Sequence, residues 1–311
     1  MTAICSVWGW VGFVQRRVSM GHSVAVDRPR GNAERPKIAA VVLAAGEGRR
    51  LAPLSLVRPK PLCPVGGRAL LDLALDRVEA LGADPAVNLH HRAEEVRTHL
   101  EASGRRVHLS LERPRALGTA GALGALRGWV DGRALVVVNA DTWVPGGLAA
   151  LLEGWDGDRV RVMVHGGARF GPRVGVVASV VPWPEVAGLE AEPSGLYEVL
   201  WRPRHAEGRL EVVGHDGAVV DCGTPVDYLT ANLAAASFAG GRVIGAGATV
   251  APGALDGAAV VGESAVVEGR VRDSVVWAGC TVGPEEVLDR SVRASAEITV
   301  GPLPVGPGPP G

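Results

Sequence analysis

The sequence predicts an α/β fold: a mostly parallel sheet covered by helices, followed by a short stack of parallel β-coils. Two observations carry the sheet. Apolar runs rich in valine, isoleucine and alanine recur from Lys37 onward without polar alternation, and each leads into a pattern of helical period. Strands of a parallel sheet read this way, because their crossovers cover both faces and leave no solvated side. A third observation carries the coils. From Gly240 onward the texture changes to glycine, alanine and valine repeating with a period of about six, the pattern of coils that bury a core only when stacked.

Taken in order, "KIAAVVLAA" (37–45) is the first strand. In "RALLDLALDRVEALG" (68–82), Leu70, Leu71, Ala74, Leu75, Val78 and Leu81 share one stripe, so the spacing predicts a helix that stops at Gly82 in a left-handed terminal position. "AVNLHH" (86–91) is the next strand, and a charged helix follows around 92–102. "VHLSLE" (107–112) leads into a helix over "GTAGALGALRGWV" (118–130), and "ALVVVNAD" (134–141) into another short helix. In the coils, Val243, Thr249, Leu255, Val261, Val267 and Val282 are expected to point inward, with the repeat loosening after Pro284. The expected organisation is an extension over 1–35, outside the core and disordered, an α/β domain over 36–239, a β-helix over 240–300, and a disordered Pro/Gly-rich tail over 301–311.

Composition narrows the partners. The chain has 311 residues, is 47% hydrophobic and 21% charged, and carries a net charge of -1. It therefore lacks the long-range basic field that draws a protein to nucleic acid or to an anionic membrane. Cys5, Cys63, Cys222 and Cys280 are scattered and form no CxxC pair, which argues for a reducing cytoplasm and against a zinc site or a disulfide framework. "AICSVWGWVGFV" is too short to span a bilayer, and the basic pair Arg16–Arg17 follows the apolar run instead of preceding it, so no signal peptide is expected. This stretch reads either as an extension or as residues upstream of a true start nearer Met20. Only two residues of the chain are lysines, Lys37 and Lys60, and the second stands inside an unusual loop.

That loop is "VVLAAGEGRRLAPLSLVRPKPLCPVGG" (41–67). Ligands of open parallel sheets bind beyond the carboxyl ends of the strands, where Gly46 and Gly48 let backbone N–H groups approach an anion. No GxxxxGK[ST] occurs in the chain, and GxGxxG is incomplete because Leu51 holds the sixth position, so the glycines alone say little. Arg50 and Lys60 add to them. A guanidinium grips phosphate oxygens in pairs and an ammonium acts as a compact charge, while Pro59 and Pro61 stiffen the lysine backbone. Arg58 reads as a solvated loop residue. The bland alternative is a basic surface loop with a proline turn.

The stretch "LAAGEGRRLAPLSLVRPKPLCPVGGRALLD" resembles the signature of the sugar-1-phosphate nucleotidyltransferases, with Arg49 where the family carries Thr or Ser and Arg50 in the place of its arginine. Two further segments share the resemblance: "ERPRALGTAGAL" (112–123), similar to a second nucleotide loop, and "VVVNAD" (136–141) with "VDCGTPVDYLTANLAAA" (220–236), similar to segments that end in paired acids. The resemblance covers roughly 37–236. It implies a Rossmann-like nucleotidyltransferase domain, with the tail a left-handed parallel β-helix of hexapeptide repeats through which copies of the chain could assemble. It implies that Arg50 and Lys60 carry the chemistry, and that Leu43, Ala44, Ala45, Gly46, Gly48, Glu112, Gly118, Thr119 and Gly121 hold the nucleotide. Asp141 and Asp221 would hold Mg²⁺. The implied substrates are an NTP and a sugar 1-phosphate, and among subfamilies the mannose-1-phosphate guanylyltransferases, using GTP, look nearest.

One departure stands out. The segment between Asp141 and Asp221 is short and has no Glu-Lys-Pro to grip sugar and phosphate, so Arg169 or Arg173 is the expected substitute, with Gly175 as the sugar-side glycine. Two rival functions follow. A catalytically weak regulatory homologue would bind the nucleotide sugar without turnover. An acyltransferase in the coils would need a catalytic histidine, and none occurs after His215. Smaller expectations complete the reading. Thr224 should cap a helix begun by Pro225, and Asp227 should complement its dipole. His90, His91 and His99 fit no zinc spacing. Trp183 and Trp201 should pack in the core or flank the sugar.

Overall fold

The computed structural model describes residues 38–167, 169–172 and 174–304, all within one unit of the chain, Pro36–Gly311. The expected extension over 1–35, Arg173 and the end of the expected tail lie outside the described residues.

The sheet has seven strands: β1 (Ile38–Leu43), β2 (Asp84–Leu89), β3 (His108–Leu111), β4 (Ala134–Asn139), β5 (Val160–His165), β6 (Val176–Val181) and β7 (Leu210–His215). Their order is β7-β5-β6-β4-β1-β2-β3. All neighbours run parallel except at β6, which is antiparallel to both β4 and β5. β1 lies between β2 and β4, and Ala39, Ala40, Val41 and Val42 are fully buried, which accounts for a run with no polar alternation.

The helices fall where hydrophobic spacing puts them. In α1 (Leu70–Glu79), Leu70, Leu71, Ala74, Leu75 and Val78 are buried, and Gly82 beyond its end sits at φ +71°. α2 (Ala93–Ser103) is charged outside and buries Val96 and Leu100. α3 (Gly118–Val130) packs on one face of the sheet, and α4 (Pro225–Phe238) packs on the coils. Thr224 caps α4 as expected. Its hydroxyl accepts from the Asp227 N–H at 3.3 Å, while Asp227 Oδ2 accepts from the Thr224 N–H at 3.2 Å. Asp227 thus closes a reciprocal cap in addition to complementing the dipole. After β4 the short helix is delayed: Thr142–Trp143 forms a strand first, and a single turn follows at Ala149–Leu152.

The C-terminal strands pair in parallel, with Val243, Val260, Val275 and Val292 forming one column. Val250, Val267 and Val282 form a second, and Leu255, Val271 and Leu288 a third. The inward expectation holds for Leu255, Val261, Val267 and Val282, and Val243 is half-buried. Thr249 is a correction. It is exposed, and its neighbour Val250 packs toward the core in its place, because a one-residue slip in a strand reverses which face each side chain joins. Among the described residues, no helix is long and apolar enough to cross a membrane. Cys63, Cys222 and Cys280 are free and buried.

Candidate active site

The loop between β1 and α1 leaves the carboxyl end of the central strand, and its glycines do different work. Gly46 has open space where a Cβ would stand, so a ligand can reach its backbone. Gly48 adopts φ +65°, and a Cβ there would stand 2.9 Å from the Lys60 Cβ. It is the residue that lets the lysine stem pass close beneath the loop. Arg92 fastens the same loop from outside, its Nη1 donating to the Ser55 carbonyl at 2.9 Å and its Nη2 to that of Val57 at 3.3 Å.

Lys60 itself is buried. Its Nζ donates to Asp141 Oδ2 at 2.7 Å and to Asp221 Oδ1 at 3.4 Å. Asp141 follows β4, and Asp221 ends a two-residue strand, Val220–Asp221, that pairs antiparallel with Thr142–Trp143. The Cys222 N–H closes this junction on the Asp141 carbonyl at 3.0 Å. Two acids eighty residues apart in sequence are thereby brought to one point. Burial works against the Lys60 charge, but the two carboxylates outweigh it and hold its pKa above the usual lysine value. Asp221 is pushed up, first by desolvation and then by the neighbouring Asp141 charge, against the pull of Lys60 and Arg50. Arg50 is largely exposed, with Nη2 3.9 Å from Asp221 Oδ2. Gly223 keeps clear of it, since a Cβ there would meet that nitrogen at 3.2 Å.

A second constellation was half visible in the sequence. Asn88, near the end of β2 and 2% exposed, accepts from the Ala44 N–H at 2.8 Å and donates to Glu112 Oε1 at 2.8 Å. Glu112 in turn accepts from the Leu117 N–H at 2.7 Å. Glu112 was expected against the nucleotide. Instead it is buried and ties the glycine loop, by way of Asn88, to the start of α3. Asn88 was not foreseen, and its signal was a lone amide in an otherwise apolar run.

The α3 glycines also need correction. Gly118 and Gly121 were expected to face base and ribose. A Cβ at Gly118 would meet the Ser194 carbonyl oxygen at 2.5 Å, one at Gly121 the Glu192 oxygen at 2.3 Å, and one at Gly124 the Glu190 oxygen at 2.3 Å. The backbone of 190–194 runs along this glycine face as a strap. The Ala120 N–H binds the Ser194 carbonyl at 3.0 Å, and Thr119 Oγ1 accepts from the Leu196 N–H at 2.8 Å. Leu43 and Thr119 border a cavity that also touches the Val174–Ser179 stretch, and the Gly175 position opens on empty space.

The remaining expectations separate cleanly. His99 pairs with Asp72 at 3.0 Å and His90 Nδ1 lies 3.1 Å from the Glu112 carbonyl, so these histidines have other partners. Among the described residues no group of three or more His, Cys, Asp or Glu could hold a metal ion. Arg58 is not simply solvated: its guanidinium lies over the Trp277 ring, 5.3 Å from the centroid. Arg169 is exposed, Trp183 is partly buried in the α3 layer, and Trp201 packs there too while lining the cavity.

With this geometry in hand, residues 40–217 match the family model of the MobA-like NTP transferase domain. The chain belongs to that family. Relatives of this NTP transferase domain include the N-acetylmuramate alpha-1-phosphate uridylyltransferase of Caulobacter vibrioides, 39% identical over 41% of this chain and 56% of that protein. The mannose-1-phosphate guanylyltransferase of Mycobacterium tuberculosis is 31% identical over 38% of this chain and 33% of that protein. The matches thus span a third to just over half of these relatives. Among solved structures, a putative glucose-1-phosphate thymidylyltransferase from Bacillus anthracis superposes with a TM-score of 0.53 at 18% identity, over 64% of this chain and 95% of that one. HddC from Yersinia pseudotuberculosis gives 0.52 at 19%, over 62% and 97%. At such identity the structures speak for the fold alone.

Proposed function

We propose that this domain transfers a nucleotidyl group from an NTP to a sugar 1-phosphate and releases pyrophosphate. The observation that carries the reading is the Lys60 ammonium shared by Asp141 and Asp221 at the carboxyl edge of the sheet, beside a loop with an open Gly46 backbone. An oxygen of the sugar 1-phosphate attacks the α-phosphorus. The bond to the bridging oxygen breaks, and its electron pair leaves with pyrophosphate. The nucleophile is already anionic at neutral pH, so no general base is needed. Positioning and charge neutralisation must supply the rate.

Each residue has a part in that task. The Gly46 backbone cradles phosphate, the exposed Arg50 reaches the leaving pyrophosphate, and Lys60 neutralises charge on the reacting phosphates. Ala44 and Ala45 hold the loop against the nucleotide, with the Ala44 N–H fixed by Asn88. Gly118 and Thr119 set the edge of the nucleotide site through the strap they carry. Asp141 and Asp221 suit Mg²⁺, a hard cation that binds through one or two carboxylates and leaves its other positions to substrate phosphates and water. Two carboxylates converging on one positive group are such a donor pair. When bound, Mg²⁺ would supply further neutralisation of phosphate charge.

Base and sugar are finer matters. The sequence expectation of GTP and mannose 1-phosphate is one arm of the test, and the names of the relatives divide between uridylyl and guanylyl transfer. Pyrophosphate release measured for each NTP against a panel of sugar 1-phosphates tests the reading. Release with no pair would sink it and favour the regulatory alternative, provided NTP still binds. That alternative draws on one observation: Lys60 is the only lysine among the described residues, and it is already held by two acids. We read the C-terminal columns as a left-handed parallel β-helix of hexapeptide repeats, a surface through which copies of the chain assemble. The three buried free thiols support a cytoplasmic setting.

A further inference from the structure

Beside the reaction site, a cavity of about 390 Å³ opens on the α3 side of the sheet. Leu43 and Asn139, the last residues of β1 and β4, border it, so it reaches the strand end that carries Asp141. The rest of its lining is largely apolar, with Val176 and Leu196 among it, and among the described residues it holds no lysine or arginine. Two polar groups interrupt this. Ser179 Oγ, on a residue 1% exposed, and Trp201 Nε1 are both buried with no hydrogen-bond partner among the described residues. Trp201 is delivered by Tyr197–Trp201, a turn of π-helix, a rare form that is frequent at functional sites.

An indole N–H can only donate, and burying it unpaired is costly, so the cavity is built for a ligand that brings an oxygen acceptor. Its apolar walls set a second requirement. An unsubstituted hexose carries hydroxyls on every side, and each one seated on valine or leucine would lose water without gaining a partner. An acylamino substituent meets both demands: one strong carbonyl acceptor, and an alkyl end that prefers the apolar wall. Ser179 Oγ can then accept from the amide N–H.

We infer that the acceptor is the 1-phosphate of an N-acylated amino sugar, its acyl group held in this cavity by Trp201 and Ser179. The inference rests on the nucleotidyl-transfer reading and departs from the mannose 1-phosphate expected from sequence. Trp201 and Ser179 are specificity residues, standing where no cation of the described chain is available to grip the sugar.

The test uses the full chain and N-acetylglucosamine 1-phosphate, glucose 1-phosphate and mannose 1-phosphate as probes. With the preferred NTP, kcat/KM for the acylated probe should exceed that for either hexose probe by about tenfold or more, because a site built to hydrogen-bond a group rejects analogues that lack it. Trp201→Phe keeps the ring and removes the donor. It should bring that ratio to within about threefold of unity, mainly through KM for the acylated probe. Ser179→Ala, a smaller change, should move the ratio the same way. Equal kcat/KM values for the probes, or a ratio unmoved by both variants in folded protein, would overturn the inference while leaving nucleotidyl transfer standing. If no probe supports turnover, the transfer reading fails first, and calorimetric binding decides the cavity. Binding of N-acetylglucosamine 1-phosphate weakened about tenfold by Trp201→Phe sustains the assignment, and no binding overturns it.

Discussion

The Lys60 ammonium stands 2.7 Å from Asp141 Oδ2 and reaches Asp221 Oδ1 with the same nitrogen. Without such a cation, two carboxylates would face each other across a short antiparallel junction and repel. Lys60 holds them convergent, and it does so from beneath, on a stem that only a glycine at position 48 allows to pass. The lysine thus serves the acid pair as well as the phosphates. A divalent ion brought in with the nucleotide would share those carboxylates with it.

Lys60→Ala should therefore have two opposite effects. Turnover falls, with kcat/KM lower by about a hundredfold, since neutralisation of the reacting phosphates is lost. Mg²⁺ binding to the nucleotide-free protein tightens by roughly tenfold, because a competing charge has left a partly screened site. Lys60→Arg should restore activity only in part, as a planar guanidinium does not fit the space under Gly48. Arg97→Ala, on the surface of α2 and paired only with Glu94 and Glu101, is the charge control. Mg²⁺ titration by calorimetry settles the matter, and weaker binding in Lys60→Ala would contradict the shared-carboxylate picture.

Asp141→Asn and Asp221→Asn should each lower Mg²⁺-dependent turnover by about a hundredfold or more, the effect of removing one ligand from a hard-cation pair. Stability should change little, because the two side chains are 38% and 60% exposed and an exposed pair contributes weakly. Steady-state rates with a melting curve check both halves. Full activity in either variant removes that residue from the metal pair.

The part of the fold legible in the sequence was the part in which one signal dominates. Strands β1, β2 and β4 are apolar on both faces, and α1 repeats its leucines at helical spacing, so period alone located them. Direction of pairing is not written in period, and nothing in "VVASVV" marks β6 as the antiparallel strand. Thr249 and Val250 are both β-branched, so composition could not choose which faced in. The loop residues were found by their pattern, yet their partners were not. Gly48 was read as a phosphate cradle and serves Lys60, Glu112 was read as a nucleotide contact and serves Asn88, and the α3 glycines serve a strap seventy residues away. A glycine tells that something comes close; it does not tell what.

Asn88→Ala should be costly for its size. It removes the acceptor of the Ala44 N–H and leaves Glu112 Oε1 buried without its amide partner. A buried acceptor left unpaired costs about 1–3 kcal/mol, and more when charged, so melting should fall by several degrees. The NTP KM should rise more than kcat falls, because the glycine loop loses its tether while the Lys60 site remains. Asn88→Asp, which keeps one acceptor but places a second carboxylate against Glu112, should be no better. A wild-type melting temperature in Asn88→Ala would mean that the relay is incidental.

Gly124→Ala and Gly128→Ala give the sharpest contrast, since both positions lie in α3 and helix propensity treats them alike. Replacing a mid-helix glycine by alanine ordinarily stabilises by about 1 kcal/mol. Gly128 has nothing within 4 Å of where its Cβ would stand, so Gly128→Ala should follow that rule and raise the melting temperature. At Gly124 the same methyl would lie 2.3 Å from the Glu190 carbonyl oxygen and 2.4 Å from its carbon, atoms of backbone that cannot swing aside as a side chain can. Either the strap lifts from the helix or the helix shifts, and overpacking of this kind costs about 1–3 kcal/mol. Gly124→Ala should therefore lower the melting temperature. Because Leu196 and Trp201 follow the strap into the cavity, it should also raise KM for the sugar phosphate while leaving NTP affinity near its original value. Differential scanning calorimetry and the two KM values decide it: if both alanines stabilise equally, the strap does not rest on the glycine face, and the packing described for α3 is wrong.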